Sequence, residues 1–342
     1  MKKVSGLVLL GIAIGFSLLS AQTPGKSSIL KLDPALDAIV SSNAKVDILK
    51  DDYFGIAEGP VWIKNGQSGY LLFSDIGSNN IYKWTPDGKL SVFLEKTGWT
   101  GTDTSTLQGL ISGFNGRIYT VAFGSNGIAL DPQGRLVWCA QGDRAIIRHE
   151  KDGKRTVLAD RYQGKRLNRP NDLVVKSDGS IYFTDPYAAN RPGTELDFGG
   201  VFLIKDGNVQ VVEREYGPNG IVFSPDEKYL YVNGAQKIYR YDAMPDGKLA
   251  NRRLLVDMST DKAPGGADGM KVDQKGNLYS SGPGGVWIIS PEGKHLGTIL
   301  APEGGGVTNV AFGDSDGKTL FLTVRRTLAR IRVNIPGVRP NS

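Results

Sequence analysis

The chain has 342 residues, enough for one large domain or two ordinary ones. Its 45 glycines, the many Asp-Gly and Asn-Gly pairs, and its 13 tyrosines and 5 tryptophans are typical of short β-strands joined by tight turns, so the composition predicts an all-β fold rather than a helical one. The formal charge of +6 is spread along the chain, and the arginines between Arg325 and Arg332 have no stacking aromatic motif beside them, so we expect no nucleic-acid binding.

Residues 1–21 have the pattern of a secretory signal peptide. Two lysines precede an uncharged apolar run from Val4 to Leu19, and two small residues end the segment at Ala21. This pattern predicts a periplasmic or secreted protein with no stable membrane association after cleavage. The alternative is an uncleaved anchor, because Leu19 occupies a position where cleavage prefers a small residue and the apolar run approaches the ~18 residues of a spanning helix.

The chain offers little for cysteine or histidine chemistry. Cys139 is the only cysteine, so no intramolecular disulfide can form and stability must come from packing. His149 and His295 lie beside predicted turns, and we interpret both as surface residues away from the functional site. The sequence also has no G-x-S-x-G elbow, which argues against a serine-histidine hydrolase.

One sequence repeat occurs six times after a lead-in segment at residues 22–44. Each copy is a polar residue, a short apolar strand, a turn rich in Asp, Gly or Pro, and a second aromatic or aliphatic strand. The copies begin at Glu58, Asn126, Asn171, Asn219, Asp268 and Thr308. These lead residues are 68, 45, 48, 49 and 40 positions apart, and all intervals but the first match a four-stranded propeller blade. The repeats predict a six-bladed β-propeller over residues 45–334, followed by a C-terminal tail at 335–342.

Two segments do not fit the repeat. The last copy ends without an obvious fourth strand, whereas residues 45–52, KVDILKDD, form a strand with no copy of its own. We predict that this N-terminal strand completes the last blade and closes the ring, which leaves no free sheet edge. The long first interval holds an insertion from Glu95 to Gly124, rich in Thr, Ser and Gly, which forms either a lid or a plain surface loop.

The lead residues are predicted to meet at one end of the central channel, because the first strand of each blade lines the axis. The plain alternative, that Asn and Asp before Gly are turn residues, explains neither Glu58 nor Asn171, which precedes Asp172. Carboxylates converging in a narrow channel repel each other, and a divalent cation would compensate them. Glu58 and Asp268 with the amide oxygens of Asn171 and Asn219 form an all-oxygen ligand set that suits Ca²⁺ above Mg²⁺ or Mn²⁺, with Zn²⁺ as a further alternative.

Four segments resemble the metal-binding blocks of the senescence marker protein, gluconolactonase and luciferin-regenerating enzyme family, which includes regucalcin. They read AEGPVW, RPNDLVV, GPNGIVF and GADGMKV, and the arrangement GKRLNRPNDLVV with DGSIYFTDP is closest to the bacterial gluconolactonases. The resemblance covers roughly Val46 to Asn334 and implies a six-bladed propeller with a metal held by Glu58, Asn171, Asn219 and Asp268. It further implies that Asn126 and Thr308 line the pocket, and that Asn171 contacts the substrate in some members.

The resemblance implies a hydrolase that opens sugar lactones. The cation would polarise the lactone carbonyl for attack by water. Asp268 and Asp172 are the candidate bases, and the alternative for Asp172 is a carboxylate that orients a metal ligand. Thr308 or Asn309 stands where some relatives have a histidine, which argues against phosphoesterase activity and places Asn309 among the substrate-binding candidates. We expect a small-molecule lactone as partner and a monomeric protein.

Two other functions remain open at this level. The chain could be a calcium-stabilised binding propeller without catalysis, or a hydrolase of other lactones or phosphoesters. An open coordination position with a nearby base favours an enzyme, whereas a metal saturated by protein atoms favours a binding protein.

Overall fold

The computed structural model describes residues 28–102, 110–111, 119–120, 123–187, 193–215, 217–302 and 305–338. These residues form β-strands and one short 3₁₀ helix, Pro34–Ala38, which confirms the all-β prediction. No helix in them is long and apolar enough to cross a membrane. The predicted signal at 1–21, the start of the lead-in segment and the last residues of the tail lie outside the described residues.

The strands are numbered here in chain order. They are β1 (Ile29–Lys31), β2 (Asp47–Lys50), β3 (Ala57–Asn65), β4 (Ser68–Asp75), β5 (Asn80–Trp84), β6 (Leu90–Glu95), β7 (Leu110–Ile111), β8 (Tyr119–Thr120), β9 (Ser125–Leu130), β10 (Leu136–Ala140), β11 (Ala145–His149), β12 (Arg155–Ala159), β13 (Arg161–Tyr162), β14 (Lys165–Arg166), β15 (Leu173–Val175), β16 (Ile181–Asp185), β17 (Gly200–Lys205), β18 (Asn208–Arg214), β19 (Ile221–Phe223), β20 (Tyr229–Gly234), β21 (Lys237–Ala243), β22 (Leu249–Asp257), β23 (Met270–Val272), β24 (Leu278–Gly282), β25 (Gly285–Ile289), β26 (His295–Leu300), β27 (Asn309–Gly313), β28 (Thr319–Val324) and β29 (Thr327–Arg332).

Antiparallel pairing groups the strands into six blades, which confirms the predicted propeller. Blades one to four are β3–β6, β9–β12, β15–β18 and β19–β22, each in sequential order. Blade five is β23–β26 with β1 added at its outer edge, and blade six is β27–β29 with β2 at its outer edge. The pairs β7–β8 and β13–β14 form small hairpins of their own.

The two ends of the chain are built into the ring. Strand β2 pairs with β29, with Ile48 opposite Ala329, so the N-terminal strand completes the last blade as predicted. Strand β1 belongs to the predicted lead-in segment, yet it pairs with β26 and covers the edge of blade five. Of the predicted tail, Ile335 is buried and the N–H of Val338 bonds to the carbonyl of Val272, 3.0 Å away. Both segments therefore pack as parts of the propeller.

The blades pack face to face, and this explains the composition of their strands. The inner strands β10 and β16 are buried at every residue because both faces of the sheet meet a neighbouring blade. The outer strands β6 and β12 are largely exposed or half-buried. Each pair of neighbouring blades shares one apolar cluster, and the cluster between blades six and one includes Leu328, Phe321, Phe73 and Trp62. The ring is therefore closed by apolar packing as well as by β2.

We expect Phe54→Ala to lower the free energy of unfolding by about 3–5 kcal/mol, because it opens a cavity where the first and last blades meet. Phe54 is fully buried, with its ring centroid 5.0 Å from that of Phe73 and 5.5 Å from that of Tyr82. Urea denaturation measures the change. Leu254→Ala, at a side chain 51% exposed on an outer strand, is the control and should change stability by less than about 0.5 kcal/mol. Equal effects of the two substitutions would contradict the closure described here.

Candidate functional site

The first strands of the blades bring the lead residues to one end of the channel. Glu58, Asn126 and Asn171 are buried, whereas Asn219 and Asp268 are half-buried. The carboxylate of Asp268 accepts a hydrogen bond from the side chain of Asn219 and lies within electrostatic range of Glu58. Three of the four predicted metal ligands thus interact directly or through charge, although they belong to blades one, four and five.

The glycines that follow the lead residues fit tightly against the next blade. A Cβ atom at Gly127 would overlap the carboxylate of Asp172 and lie 2.7 Å from its Cα, and one at Gly220 would overlap the carbonyl of Asp268. The N–H of Gly127 also bonds to the carbonyl of Asn171, 2.8 Å away. Neither Gly127 nor Gly220 has a positive φ, so the plain turn interpretation of these pairs does not hold. They are contacts between blades.

Blades three and six carry a polar side chain where the other blades described above have this glycine. Asp172 follows Asn171, and Asn309 follows Thr308. The amide of Asn309 donates to Oε2 of Glu58 at 3.1 Å, and that oxygen also accepts from the N–H of Gly59 at 2.9 Å. The blades that depart from the glycine pattern therefore place a second layer of polar groups just below the lead residues.

Burial sets the protonation of the acidic groups in this channel. Burial and, to a lesser extent, the charge of Asp172 raise the pKa of Glu58 to about 7, against the opposing effect of the hydrogen bond from the N–H of Gly59. Burial, followed by the charges of Glu58 and Asp172, holds the pKa of Asp268 well above its ordinary value. Burial likewise raises the pKa of Asp172, against the opposing charge of Lys271. In a narrow channel these three carboxyl groups resist ionising together.

Buried amide oxygen atoms without a hydrogen-bond partner accompany the carboxyl groups. The side-chain oxygens of Asn126 and Asn219 are buried and accept no hydrogen bond from the protein. Within the described ranges, no three carboxylate, imidazole or thiolate groups converge as a metal site by themselves, so a cation here would need amide oxygens beside Glu58 and Asp268. A set of carboxylate and amide oxygens fits a hard divalent cation such as Ca²⁺.

Thr308 contacts blade one and the second strand of its own blade rather than the channel groups. Its hydroxyl lies 2.6 Å from the carbonyl oxygen of Ala57 and 3.0 Å from that of Thr323. The side chain therefore ties the first strand of blade six to blade one. Its predicted contact with the substrate stays a prediction, as do the roles of Asn126 and Asn171.

Sequence reasoning missed the residues that hold the loops leading to the first strands. Asp185, at the end of β16, accepts hydrogen bonds from the N–H groups of Asn168 at 2.7 Å and Arg169 at 2.6 Å. Asp75, at the end of β4, accepts from Ile56 at 3.0 Å in the same manner. The signal was in the sequence, because FSD and FTD end the second strands of blades one and three. These aspartates fix the backbone just before Glu58 and Asn171.

Charged groups near the site were also missed. Lys271, in β23, donates to the side-chain oxygen of Asn309 at 3.3 Å from below the lead residues. Arg169 and Arg325 lie within electrostatic range of Asp268, and burial lowers the pKa of Arg169. In the sequence Lys271 is a single polar residue in an apolar strand, GMKV, and the pattern does not distinguish it from a solvent-facing lysine.

The two histidines lie on the outer halves of their blades. His149 ends β11, and its ring centroid is 6.4 Å from that of Trp138. His295 begins β26 and stacks on Trp287 at 3.6 Å. Both are half-buried, so the surface interpretation was too simple, but their positions on third and fourth strands agree with a place away from the channel.

Only parts of the long insertion are described. Its first residues are anchored, since the side chain of Asn79 accepts from the N–H of Gly98 at 2.8 Å and the indole of Trp138 donates to the carbonyl of Thr97 at 2.5 Å. Most of the segment between residues 103 and 122 lies outside the described residues, and so does the choice between a lid and a surface loop.

Comparisons with known proteins agree with this architecture. The model of the SMP-30/Gluconolactonase/LRE-like region matches residues 56–326. A gluconolactonase from Zymomonas mobilis subsp. mobilis is 35% identical over 93% of this chain and 89% of its own length. A 6-deoxy-6-sulfogluconolactonase from Pseudomonas putida is 32% identical over 82% of this chain and 92% of its own. The solved structure of a gluconolactonase from Xanthomonas campestris superposes with a TM-score of 0.74 at 33% identity, covering 89% of this chain and 94% of the other.

We expect Gly127→Ala to destabilise the protein by about 1–3 kcal/mol and to displace Asp172, since the added methyl group overlaps its carboxylate. Thermal unfolding measures the stability. The control is Gly217→Ala, at a glycine with open space around its Cβ position and no positive φ. If Gly127→Ala is tolerated as well as Gly217→Ala, the close contact between blades two and three is wrong.

In the absence of divalent cations, the free energy of unfolding should fall as pH rises from about 4.5 to about 7. Over this interval the folded protein keeps a proton on Glu58 that the unfolded chain, with an ordinary pKa of 4.5, has released. Above pH 7 this contribution levels off. Melting temperatures in EDTA between pH 4.5 and pH 8 measure the slope. Glu58→Gln should make the slope shallower, and an unchanged slope would contradict the burial of an ionisable Glu58.

Proposed function

The chain belongs to the SMP-30/gluconolactonase/LRE-like family and is a lactone hydrolase, and on that premise we propose that it opens sugar lactones with the help of a divalent cation. The cation would be held by the side chains of Glu58, Asn171, Asn219 and Asp268. One observation carries the proposal: buried carboxyl groups that repel one another lie beside buried amide oxygens that accept no hydrogen bond. Such a set is costly alone and becomes favourable around a cation.

The residues of the channel prepare this site before a ligand arrives. Glu58 is fixed by two donors, the N–H of Gly59 and the amide of Asn309. The backbone N–H of Asp268 donates to the hydroxyl of Ser281 at 2.8 Å, and Asn219 donates to its carboxylate. A bound cation would polarise the lactone carbonyl and stabilise the negative charge that forms when water adds to it.

The base is assigned from exposure. Asp268 is half-buried at the channel mouth, whereas Asp172 is buried below it and accepts the N–H of Leu173 at 2.9 Å. Water that attacks the lactone from the mouth can therefore pass a proton to Asp268, and the same proton can return to the ring oxygen as the ester bond breaks. Asp172 would act on Glu58 and Asp268 through its charge. We accordingly place Asp268 as the base and Asp172 as a positioning residue.

The sugar itself would meet the amides around the mouth. The unused oxygen of Asn126 can accept a hydrogen bond from a sugar hydroxyl, and Asn171 is available for either the cation or the substrate. Asn309 is already engaged with Glu58 and Lys271, so we expect it to position Glu58 more than to bind substrate. The identity of the cation, the monomeric state and the periplasmic or secreted location stay predictions.

Chelation and mutation test the proposal together. Residues 22–342 should hydrolyse glucono-1,5-lactone, lose that activity after EDTA treatment, and regain it with Ca²⁺, Mg²⁺, Mn²⁺ or Zn²⁺. Glu58→Gln and Asp268→Ala should each reduce kcat/KM by about 100-fold or more, because each removes a ligand charge and Asp268→Ala also removes the base. The control is Asp246→Asn, at an exposed turn residue paired with Lys248.

Other outcomes point elsewhere. Activity that survives complete removal of metal would contradict the cation. A folded protein that binds Ca²⁺ but hydrolyses neither this lactone nor a panel of other lactones and phosphotriesters would be a binding propeller. Asp172→Asn separates the two carboxyl roles, because it should retain more activity than Asp268→Ala. The reverse order would exchange their assignments.

A further inference from the structure

Lys271 enters the channel from the first strand of blade five, three residues beyond Asp268. Its neighbours Met270 and Val272 are buried within the apolar cluster of blades four and five, so the alternation of the strand places Lys271 on the opposite face, which faces blade six. Its ammonium group donates to the carbonyl of Met270 at 3.1 Å and to the side chain of Asn309 at 3.3 Å. The lysine therefore reaches across to blade six instead of extending into solvent.

The contacts of Lys271 lead to the buried carboxyl groups. Asn309 accepts from Lys271 through its oxygen and donates to Glu58 through its nitrogen, so one amide joins the cation to the anion. Lys271 also acts on Asp172, where its charge is the largest influence opposing burial. The arginines near the site act on a different carboxyl group, since half-buried Arg169 and exposed Arg325 both act on Asp268.

Below Lys271 the channel widens into a cavity whose lining is mostly apolar, with Ser224 and Glu227 among the few polar residues. This cavity of about 150 Å³ is lined by the lower parts of the first strands, among them Ile128, Val174, Val222 and Ala311. Among the described residues that line it, Lys271 is the only cation. The hydrogen bonds of the ammonium group go to Met270 and Asn309 and its charge acts on Asp172, so it is directed to the carboxyl groups of the site rather than to Glu227 in the cavity lining.

We propose that Lys271 is a built-in counter-ion of the site, which holds Glu58, Asp172 and Asn309 in place when no divalent cation is bound and opposes that cation when it binds. The part of this inference that concerns cation binding rests on the proposed function. The other part concerns the protein without metal and does not depend on that function. A lysine fixed beneath the ligands would lower the cost of keeping the carboxylates buried, and would also weaken the affinity for the cation so that it can exchange.

The two parts of the proposal predict that removing the charge of Lys271 lowers stability without metal but raises the affinity for Ca²⁺. Lys271→Met should lower the unfolding midpoint in EDTA, because it removes a positive charge that acts on both Asp172 and Glu58. The same substitution should tighten Ca²⁺ binding on the order of tenfold, because it removes repulsion between two cations. A lysine that serves only as packing would, when replaced, weaken both stability and binding.

Calorimetric titration with Ca²⁺ and denaturation in EDTA test this on residues 22–342. Lys275→Met, at an exposed lysine four residues further along the same blade, is the control and should change neither quantity. Lys271→Gln removes the charge but keeps a donor for Asn309, and it should behave as Lys271→Met does. If either charge-removing variant binds Ca²⁺ no more tightly than the wild type, the opposition to the cation is wrong.

A double-mutant cycle in EDTA tests the counter-ion without any metal. If Lys271 compensates Glu58, the destabilisation caused by Lys271→Gln should shrink by half or more in a Glu58→Gln background. Additive effects would overturn the counter-ion role. A wild-type protein that binds no divalent cation would refute the proposed function, and the cycle would still decide whether Lys271 balances the buried carboxyl groups.

Discussion

Face-to-face packing between neighbouring blades is the constraint on which the rest of this structure depends. The middle strands are apolar on both faces, so no blade can bury its residues alone and each needs a neighbour on either side. That requirement is satisfied only by a closed ring, which is why β2 pairs with β29 and why an apolar cluster joins blades six and one. Closure in turn places the start of every first strand at the same end of the channel.

The convergence of the first strands creates the candidate catalytic site and also brings together carboxyl groups that repel one another. Glu58, Asp172 and Asp268 come from three different blades, and the ring brings their charges together where little water reaches. Repulsion and burial raise their pKa values, and a cation is the compensation that the arrangement favours. Lys271 supplies a fixed positive charge from below, so the site is balanced in part by the protein itself. The buried carboxyl groups, which are unfavourable without a cation, are therefore also the groups that can act on a lactone.

The residue that directly follows each lead residue, either glycine or a polar residue, determines how the blades meet at the site. Where a lead residue is followed by glycine, as at Gly127 and Gly220, the backbone of the next blade approaches to a distance that a Cβ atom would block. Where glycine is replaced, at Asp172 and Asn309, a polar side chain occupies the channel instead. The departures from the repeat are therefore informative, because they mark the blades that contribute chemistry beyond the common frame.

The sequence by itself determined the ring. The repeat intervals, the two-strand phrase and the unpaired strand at residues 45–52 were enough to predict six blades and their closure, since apolar periodicity and turn residues act locally and recur. It also marked Glu58, Asn219 and Asp268 as residues that meet. Only the tertiary structure decided which atoms face the channel: Thr308 is committed between blades, Lys271 turns inward, and Asp185 holds the loop before Asn171. Those outcomes depend on contacts between blades that are distant in sequence, and no local pattern encodes them.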